Sequence, residues 1–243
     1  MKIIINGAGG RMGKALRTMA AQKEIEVAAM VDAFVQEDGM LASLADFSGE
    51  ADCIIDFSHH SSVQALLDYA VGRNLPVIVC TTGHTAQELE AIAAASKQIP
   101  VFHSGNMSLG IAVLTRLASD AARMFPDADI EIVEAHHNQK LDVPSGTALM
   151  LAKSVQKVRQ DATLLVGRHE NGKRTKQEIG IHSLRMGNTV GIHEVIINTG
   201  TQIITLKHEA QDRPCLLRAR CPRLPSCWAK IRDCITWMTL LDK

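Results

Sequence analysis

Short apolar runs alternate with helix-like segments through the first 107 residues, and this alternation limits the possible folds more than any other feature. The predicted strands are 2–6, 26–32, 52–58, 75–83 and 99–105. Segments with helical apolar spacing, at about 11–22, 61–72 and 86–97, follow three of these strands. Strands that alternate with helices form parallel sheets covered on both faces. The pattern therefore predicts an α/β fold with a doubly wound parallel sheet.

The pattern changes in the second half of the chain. A strand is predicted over 129–137 and a helix over 145–158, and three β-like stretches follow at 176–187, 188–200 and 201–210. Apolar residues alternate in these stretches, as at Ile179 and Ile181, and residues 198–202 predict a hairpin turn. These features predict a second, α+β domain with a mixed, largely antiparallel sheet, one face of which is solvated or covered by a partner.

A glycine-rich turn, NGAGGRMG, joins the first predicted strand to the first helix. Its four glycines allow a tight turn and a close approach to a pyrophosphate: Gly7, Gly9, Gly10 and Gly13. Met12 stands where the usual third glycine would be, so the spacing alone does not exclude a plain tight turn. Asp32 ends the second strand, where a carboxylate binds the ribose hydroxyls of a dinucleotide; a strand-end cap is the alternative. Together the two features predict dinucleotide binding.

The residues around Asp32 favour NADH over NADPH. The three residues that follow it are uncharged, and its carboxylate would repel a 2′-phosphate, although Arg11 or a distant lysine could still reach one. Thr81, Thr82 and Asn106 follow later strands, at the edge where open parallel sheets bind ligands. They are predicted to contact the nicotinamide, and each is equally suited to cap a helix.

The stretch 134–148, EAHHNQKLDVPSGTA, allows three interpretations. A metal site needs three or four ligands, but His136 and His137 are adjacent on a predicted strand, so their side chains point to opposite faces. A plain strand–loop–helix junction explains Ser145 as a helix N-cap after Pro144, but it leaves the histidines and Lys140 unexplained. We therefore expect no metal and interpret the stretch as catalytic.

The catalytic interpretation gives a role to the polar groups of this stretch. Ser145, Gly146 and Thr147 begin a helix and offer N–H and hydroxyl donors to a carboxylate, while Lys140 adds a positive charge. A histidine that titrates near neutrality donates a proton in the same step in which a carbon receives a hydride. The stretch therefore suits an anionic substrate that a nicotinamide cofactor reduces.

Composition and charge argue against several other classes of protein. The chain has 26 basic and 26 acidic residues, and this balance argues against a nucleic-acid partner. The N-terminal apolar run, III, is too short for a signal peptide or a membrane span, so we predict a cytoplasmic protein without a membrane partner. Cys53 and Cys80 lie in apolar runs and are predicted to be core residues. The other four cysteines, near the C-terminus, lack zinc-ribbon spacing.

Four segments in this order, GAGGRMG, CTTG, SGNMSLG and above all EAHHNQKLDVPSGTA, resemble the dihydrodipicolinate reductase family, also called 4-hydroxy-tetrahydrodipicolinate reductases. Segments 183–195 and 204–213 are similar to later parts of that family, so the resemblance covers 1–213. It implies a Rossmann-type dinucleotide-binding domain at 1–107, to which 214–243 returns. It also implies a substrate-binding and oligomerisation domain at 108–213, whose sheet builds a homotetramer.

The resemblance further implies the NAD(P)H-dependent reduction of a cyclic, unsaturated imine dicarboxylate in the diaminopimelate route to lysine. His136 would be the acid/base, and Lys140 the proton donor and anion partner. The substrate-binding residues would be His137, Ser145, Gly146 and Thr147. The cofactor-binding residues would be Gly7, Ala8, Gly9, Gly10, Arg11, Met12, Asp32, Cys80, Thr81, Thr82, Ser104, Gly105, Asn106 and Met107. Another nicotinamide-dependent amino-acid dehydrogenase is the alternative.

Two features depart from the family pattern. Cys80 stands where the family has glycine, and we expect its thiol to crowd the cofactor slightly. After Arg213 the chain has three prolines and four cysteines without periodicity, and a helix over 214–226 would contain Pro222 and Pro225, at about 3 kcal/mol each.

A one-base deletion near codon 213 would explain this tail. If the gene is read one base earlier from that codon, the translated sequence can have the apolar pattern of a helix. Intact mass and resequencing of the gene test that explanation. The alternative is a folded tail peculiar to this chain. A genuinely altered tail raises a third possibility for function, a catalytically impaired NAD-binding protein.

Overall fold

The computed structural model describes residues 1–35, 37–211 and 234–236. These residues form two compact units, one from 1–107 with 234–236 and the other from 108–211. The tail after Arg213 lies outside the described residues, apart from 234–236, and so does the subject of the reading-frame hypothesis.

The first unit is built on a parallel sheet. Its strands are β1 (Lys2–Asn6), β2 (Glu26–Val31), β3 (Met40–Leu41), β4 (Cys53–Asp56), β5 (Val77–Val79), β6 (Val101–His103) and, late in the chain, β12 (Cys234–Ile235). Its helices are α1 (Arg11–Gln22), α2 (Val63–Gly72) and α3 (Ala86–Ala95), with short 3₁₀ turns at Leu44–Asp46 and His60–Ser62. The strand order is β12-β6-β5-β4-β1-β2-β3, with every pairing parallel. This confirms the doubly wound, Rossmann-type sheet, whose order reverses between β1 and β4, where dinucleotides bind in such folds.

The isoleucine run of β1 shows why both faces of this sheet are covered. Ile3 and Ile5 pack with Leu16 of α1 on one face. Ile4 points the other way and packs with Leu66 of α2 on the opposite face. Because side chains alternate across a strand, a strand buried on both faces needs a continuous apolar run.

The second unit combines a five-stranded sheet with two helices. Its strands are β7 (Asp129–His136), β8 (Thr163–Val166), β9 (Glu178–Arg185), β10 (Gly191–Asn198) and β11 (Ile203–Ala210), in the order β11-β10-β7-β9-β8. Its helices are α4 (Leu109–Met124) and α5 (Gly146–Val158). The hairpin turn predicted at 198–202 joins β10 to β11, where the N–H of Thr199 donates to the carbonyl of Gln202 at 3.0 Å.

The second sheet is mixed, as predicted, with two antiparallel and two parallel pairings. Strand β10 pairs antiparallel with β7 and β11, whereas β9 pairs parallel with β7 and β8. Between β7 and β8 the chain crosses over through α5. The crossover returns the chain to the end of the sheet at which β7 began, so β7 and β8 run in the same direction. Apolar alternation indicates which face of a strand is buried, but it does not indicate the direction of the neighbouring strand.

The two helices of this unit cover one face of its sheet. Ile130 and Ile132 of β7 pack with Leu114 of α4 and Leu151 of α5. The sequence analysis does not predict α4, although Ser108 caps it by accepting the N–H of Ile111 at 3.3 Å. In the described ranges, none of the helices combines the length and apolar content that crossing a membrane requires.

Candidate active site

The glycine turn between β1 and α1 has a backbone that only glycine fits. Gly7 adopts a φ of +79°, and its N–H donates to the carbonyl of Val31 at 2.8 Å. A Cβ on Gly7 would lie 2.5 Å from the carbonyl oxygen of Phe57, and a Cβ on Gly13 would overlap the carbonyl oxygen of Gly7. The turn leads directly into α1, whose first N–H groups have no intrahelical partner and suit an anionic phosphate.

Asp32 follows β2 and organises the other side of this turn. Its buried carboxylate accepts the N–H of Gly9 at 3.0 Å, of Phe34 at 2.9 Å and of Val35 at 3.0 Å. Asp32 also lines a cavity of about 520 Å³ in the first unit, together with Gly7 and Gly10 of the glycine turn. A cradle of glycines, an acid and an adjoining cavity fit the adenosine part of a nicotinamide dinucleotide.

The remaining predicted cofactor residues of the glycine turn differ in exposure. Ala8 is buried, Arg11 is exposed at the start of α1, and Met12 packs partly against the core. Cys80 is buried among core residues of the first unit, with its thiol 3.9 Å from the carbonyl of Ile78. The prediction that Cys80 is a core residue is confirmed, and its contact with the cofactor stays a prediction.

The segments after β5 and β6 lie in the same unit. The hydroxyl of Thr81 donates to Asp56 at 2.6 Å, and Thr82 is exposed. Ser104 donates to the carbonyl of Asn106 at 2.6 Å and so shapes its own loop. Gly105 is exposed beside Thr82, Asn106 is half-buried, and Met107 packs in the core.

Asp56, at the end of β4, is a residue that the sequence analysis missed. Its carboxylate is almost fully buried and accepts hydrogen bonds from Asn6 at 2.8 Å, from the hydroxyl of Ser58 at 2.6 Å and from Thr81. It thereby connects the ends of β1, β4 and β5 at the point where the strand order reverses. An acid that ends an otherwise apolar strand, as in CIID, is the signal that identifies such a residue.

In the second unit, Glu134 joins three elements around the predicted acid/base. It bonds to Nδ1 of His136, two residues along β7. It accepts both terminal nitrogens of Arg185 on β9, at 2.8 and 3.0 Å, and the N–H of Ser145 at the start of α5, at 3.1 Å. Burial alone would raise the pKa of Glu134, but the hydrogen bonds from His136 and Arg185 outweigh it and hold the pKa well below its ordinary value.

His193 of β10 lies next to His136, with ring centroids 5.1 Å apart in an edge-on arrangement. Its Nε2 is 3.3 Å from the hydroxyl of Ser145. Burial, followed by the nearby charge of His136, lowers the pKa of His193 to about 3, so this ring is neutral at physiological pH. His136 therefore has an uncharged neighbour.

The loop between β7 and α5 carries the other predicted substrate residues. Lys140 lies with Nζ 2.7 Å from Asp142, and His137 is half-buried directly after β7. Gly146 is exposed and Thr147 half-buried in the first turn of α5, which Ser145 caps by accepting the N–H of Ala148 at 3.2 Å.

The sequence analysis missed Glu134, Arg185 and His193. Glu134 lies two residues before His136, so both face the same side of β7, and this spacing was available as a signal. Arg185 pairs with His136 in the parallel register of β7 and β9. Register with another strand is not readable from local sequence, so Arg185 and His193 gave no comparable signal. Within the described part of the chain, no group of three or more His, Cys, Asp or Glu residues is arranged to hold a metal ion.

The fold and these two clusters define a class of protein. A Rossmann-type unit with a dinucleotide cradle, and a second unit with a histidine bonded to a buried acid, are the parts of a nicotinamide-dependent oxidoreductase. Family models described as dihydrodipicolinate reductase, N-terminus and C-terminus, match residues 1–107 and 110–218. The chain belongs to the dihydrodipicolinate reductase family.

Individual relatives agree with this assignment. The chain is 43% identical over 218 residues to the 4-hydroxy-tetrahydrodipicolinate reductase of Caldanaerobacter subterraneus subsp. tengcongensis, covering 88% of this chain and 87% of that protein. It is 40% identical to the enzyme of the same name from Clostridium novyi, covering 87% and 86%. Among solved structures, the dipicolinate-bound dihydrodipicolinate reductase from Paenisporosarcina sp. TG-14 has the same fold, with a TM-score of 0.77, 23% identity and 99% of each chain covered.

Proposed function

We propose that this protein reduces 4-hydroxy-tetrahydrodipicolinate (dihydrodipicolinate) to tetrahydrodipicolinate with NADH or NADPH, a step of the diaminopimelate route to lysine. The observation that carries the proposal is the cluster at the end of β7. Glu134 bonds both to the ring of His136 and to the N–H of Ser145, so one carboxylate connects the acid/base to the start of α5. The names of the relatives support the same substrate class.

The residues of the second unit divide the work on the substrate. A bound nicotinamide supplies the hydride. His136 acts as the acid/base, and Lys140 acts as a second proton donor that also attracts the anionic substrate. The N–H groups of Gly146 and Thr147 lie in the first turn of α5 and bind a substrate carboxylate, whose charge the helix dipole favours. Ser145 holds this helix start in place, and His137 contacts the substrate.

The first unit supports NADH as the preferred cofactor. Asp32 offers a carboxylate to the ribose hydroxyls and would repel a 2′-phosphate. Two cations of α1, Lys14 and Arg17, are both paired with Glu37, at 2.9 and 2.8 Å. Arg11 is exposed at the start of α1 and is the cation that would favour NADPH by binding its 2′-phosphate.

We also propose a homotetramer built by the second sheet. Its face opposite the helices exposes apolar side chains, including Leu184 at 49% and Ile203 at 64%. Light scattering on the purified protein tests the assembly, and a monomeric mass would contradict it. The cytoplasmic location remains a prediction from the sequence.

Steady-state turnover on protein of verified mass tests the function. The dicarboxylate substrate, generated in a coupled assay, should consume NADH faster than NADPH at equal concentration. His136→Gln should lower kcat by about 10²–10⁴-fold, because proton transfer is lost. His169→Gln removes an exposed histidine of the same unit and serves as the control.

Three results would count against the proposal. Wild-type turnover in His136→Gln would remove His136 from the mechanism. Turnover of a different amino-acid substrate alone would indicate another dehydrogenase. Thermal stabilisation by NADH without any turnover would indicate an impaired NAD-binding protein.

A further inference from the structure

Glu134 is a wholly buried carboxylate that connects three elements of the second unit. Its side chain has no exposed surface, and its two oxygens bond to His136 of β7, Arg185 of β9 and the N–H of Ser145 at α5. A buried carboxylate is stable only when it is paired and hydrogen-bonded. Glu134 meets this requirement through His136, the predicted acid/base, and through Arg185 and the N–H of Ser145 beside it.

Strand geometry brings the ring of His136 next to this carboxylate. Glu134 and His136 are two residues apart on β7, so their side chains lie side by side on one face. The contact is made through Nδ1. The other ring nitrogen, Nε2, lies 3.1 Å from the position that a Cβ on Gly191 would occupy. Glycine at 191 therefore leaves room next to Nε2.

The charges of the cluster determine the direction of the hydrogen bond. Arg185 makes a two-pronged ion pair with Glu134, and the pKa of Glu134 lies well below its ordinary value. An ionised carboxylate only accepts hydrogen bonds. The shared proton therefore belongs to Nδ1 of His136. His193, the adjacent ring, is neutral and adds no competing positive charge.

We propose that Glu134 is a positioning residue that holds neutral His136 as the Nδ1–H tautomer, so that Nε2 is the atom that exchanges a proton with the substrate. The proposal rests on the proposed role of His136 as the acid/base. Protonated His136 gives up the proton on Nε2 and keeps the one on Nδ1, and solvent then restores the first. Glu134 stays ionised throughout, in the way a buried acid orients the histidine of a catalytic triad.

The tautomer of His136 can be measured in the wild-type protein without any substitution at Glu134. Nitrogen-15 NMR of histidine-labelled protein at alkaline pH, where histidine rings are neutral, distinguishes the two tautomers. The His136→Gln spectrum identifies the resonance. We expect protonated Nδ1 and unprotonated Nε2. Protonated Nε2 in the neutral ring would overturn the proposal, and the loss of turnover in His136→Gln would still stand by itself.

Glu134→Gln gives the second readout. The amide cannot accept from His136, Arg185 and Ser145 together, so the tautomer preference should be lost and kcat should fall by about 10²–10⁴-fold. NADH affinity, measured by fluorescence titration, should be unchanged, because the cradle lies in the first unit. An unchanged tautomer with an unchanged kcat would overturn the proposal.

Glu131→Gln is the matched control. Glu131 lies on the same strand but faces the other side, and it also bonds to an arginine and a histidine, Arg174 and His182. Its substitution should leave the tautomer of His136 unchanged. A shift of the His136 resonance in Glu131→Gln equal to that in Glu134→Gln would show a general effect of strand β7 and contradict a positioning role.

Discussion

Strand β7 carries two clusters of the same composition on opposite faces. The outer cluster consists of Glu131, Arg174 and His182. The inner cluster consists of Glu134, Arg185 and His136. Each has one glutamate that bonds to one arginine and one histidine, and the two glutamates are three residues apart on the strand.

Burial of the glutamate and of the histidine separates the two clusters. The side chain of Glu131 is 30% exposed and that of His182 is 36% exposed, whereas Glu134 is fully buried and His136 is 12% exposed. Glu131 meets Nε2 of its histidine, while Glu134 meets Nδ1 and also the start of a helix. Solvent screens an exposed ion pair, so it adds little stability, whereas a buried pair becomes costly when one partner is removed. The same residue types therefore have different consequences on the two faces.

Removal of each glutamate should give the largest difference between the clusters. Glu134→Ala removes a fully buried carboxylate that pairs with Arg185, His136 and the N–H of Ser145, and it should lower the free energy of unfolding by about 3–5 kcal/mol. Glu131→Ala should lower it by about 0–1 kcal/mol, because the side chain of Glu131 is 30% exposed and solvent screens its ion pairs. Urea denaturation followed by circular dichroism measures both values. Equal losses would show that burial does not distinguish the clusters.

The pH dependence of stability should separate His193, beside the inner cluster, from His182. The pKa of His193 is about 3 in the folded protein, below the ordinary value of 6.5, so between these values the unfolded chain binds a proton that the folded chain does not. Its contribution to stability is complete above about pH 6.5 and is lost as the pH falls, by up to about 1 kcal/mol per pH unit.

The His193→Gln variant should therefore have a smaller slope of stability against pH between pH 5 and 6.5 than the wild type. His182→Gln removes a histidine whose side chain is 36% exposed and serves as the control. Urea midpoints at several pH values give the slopes. A wild-type slope in His193→Gln would show that His193 is charged in the folded protein.

The sequence was sufficient to predict the parts of the molecule that local patterns determine. The run Ile3–Ile5 predicts a strand covered on both faces, and β1 packs against helices on both sides. The glycine turn and Asp32 are predicted from local spacing, and in the structure they come together through a hydrogen bond from Gly9.

The pairing and register of strands that are distant in the sequence could not be predicted from local patterns. The parallel pairing of β9 with β7 brings Arg185 to the inner cluster, and nothing local to residue 185 reports that register. The same limit explains why the sequence did not indicate which strands of the second sheet pair parallel. The Cys80 thiol, in contrast, was predicted to be a core group from its apolar run, and the structure buries it in the core of the first unit.

A methyl group added beneath each cluster should affect catalysis differently. Gly191→Ala places a Cβ 3.1 Å from Nε2 of His136, whose ring Glu134 holds in place, and kcat should fall by about tenfold through misplacement of the ring. Gly180→Ala would overlap the carboxylate of Glu131, which is 30% exposed and lies on the face opposite His136, so its effect on kcat should be smaller. Steady-state kinetics test the order, and a larger loss in Gly180→Ala would contradict it.

The smallest expected effect concerns the start of α5, which the inner cluster contacts through Ser145. Ser145→Ala removes the hydroxyl that caps α5 and that lies 3.3 Å from His193, while its N–H still donates to Glu134. The free energy of unfolding should fall by about 1 kcal/mol, as is usual for loss of an N-cap. Ser108→Ala removes the corresponding cap of α4 and should cost a similar amount. If Ser145→Ala instead lost as much stability as Glu134→Ala, the hydroxyl rather than the carboxylate would be the group that holds the helix start to the cluster.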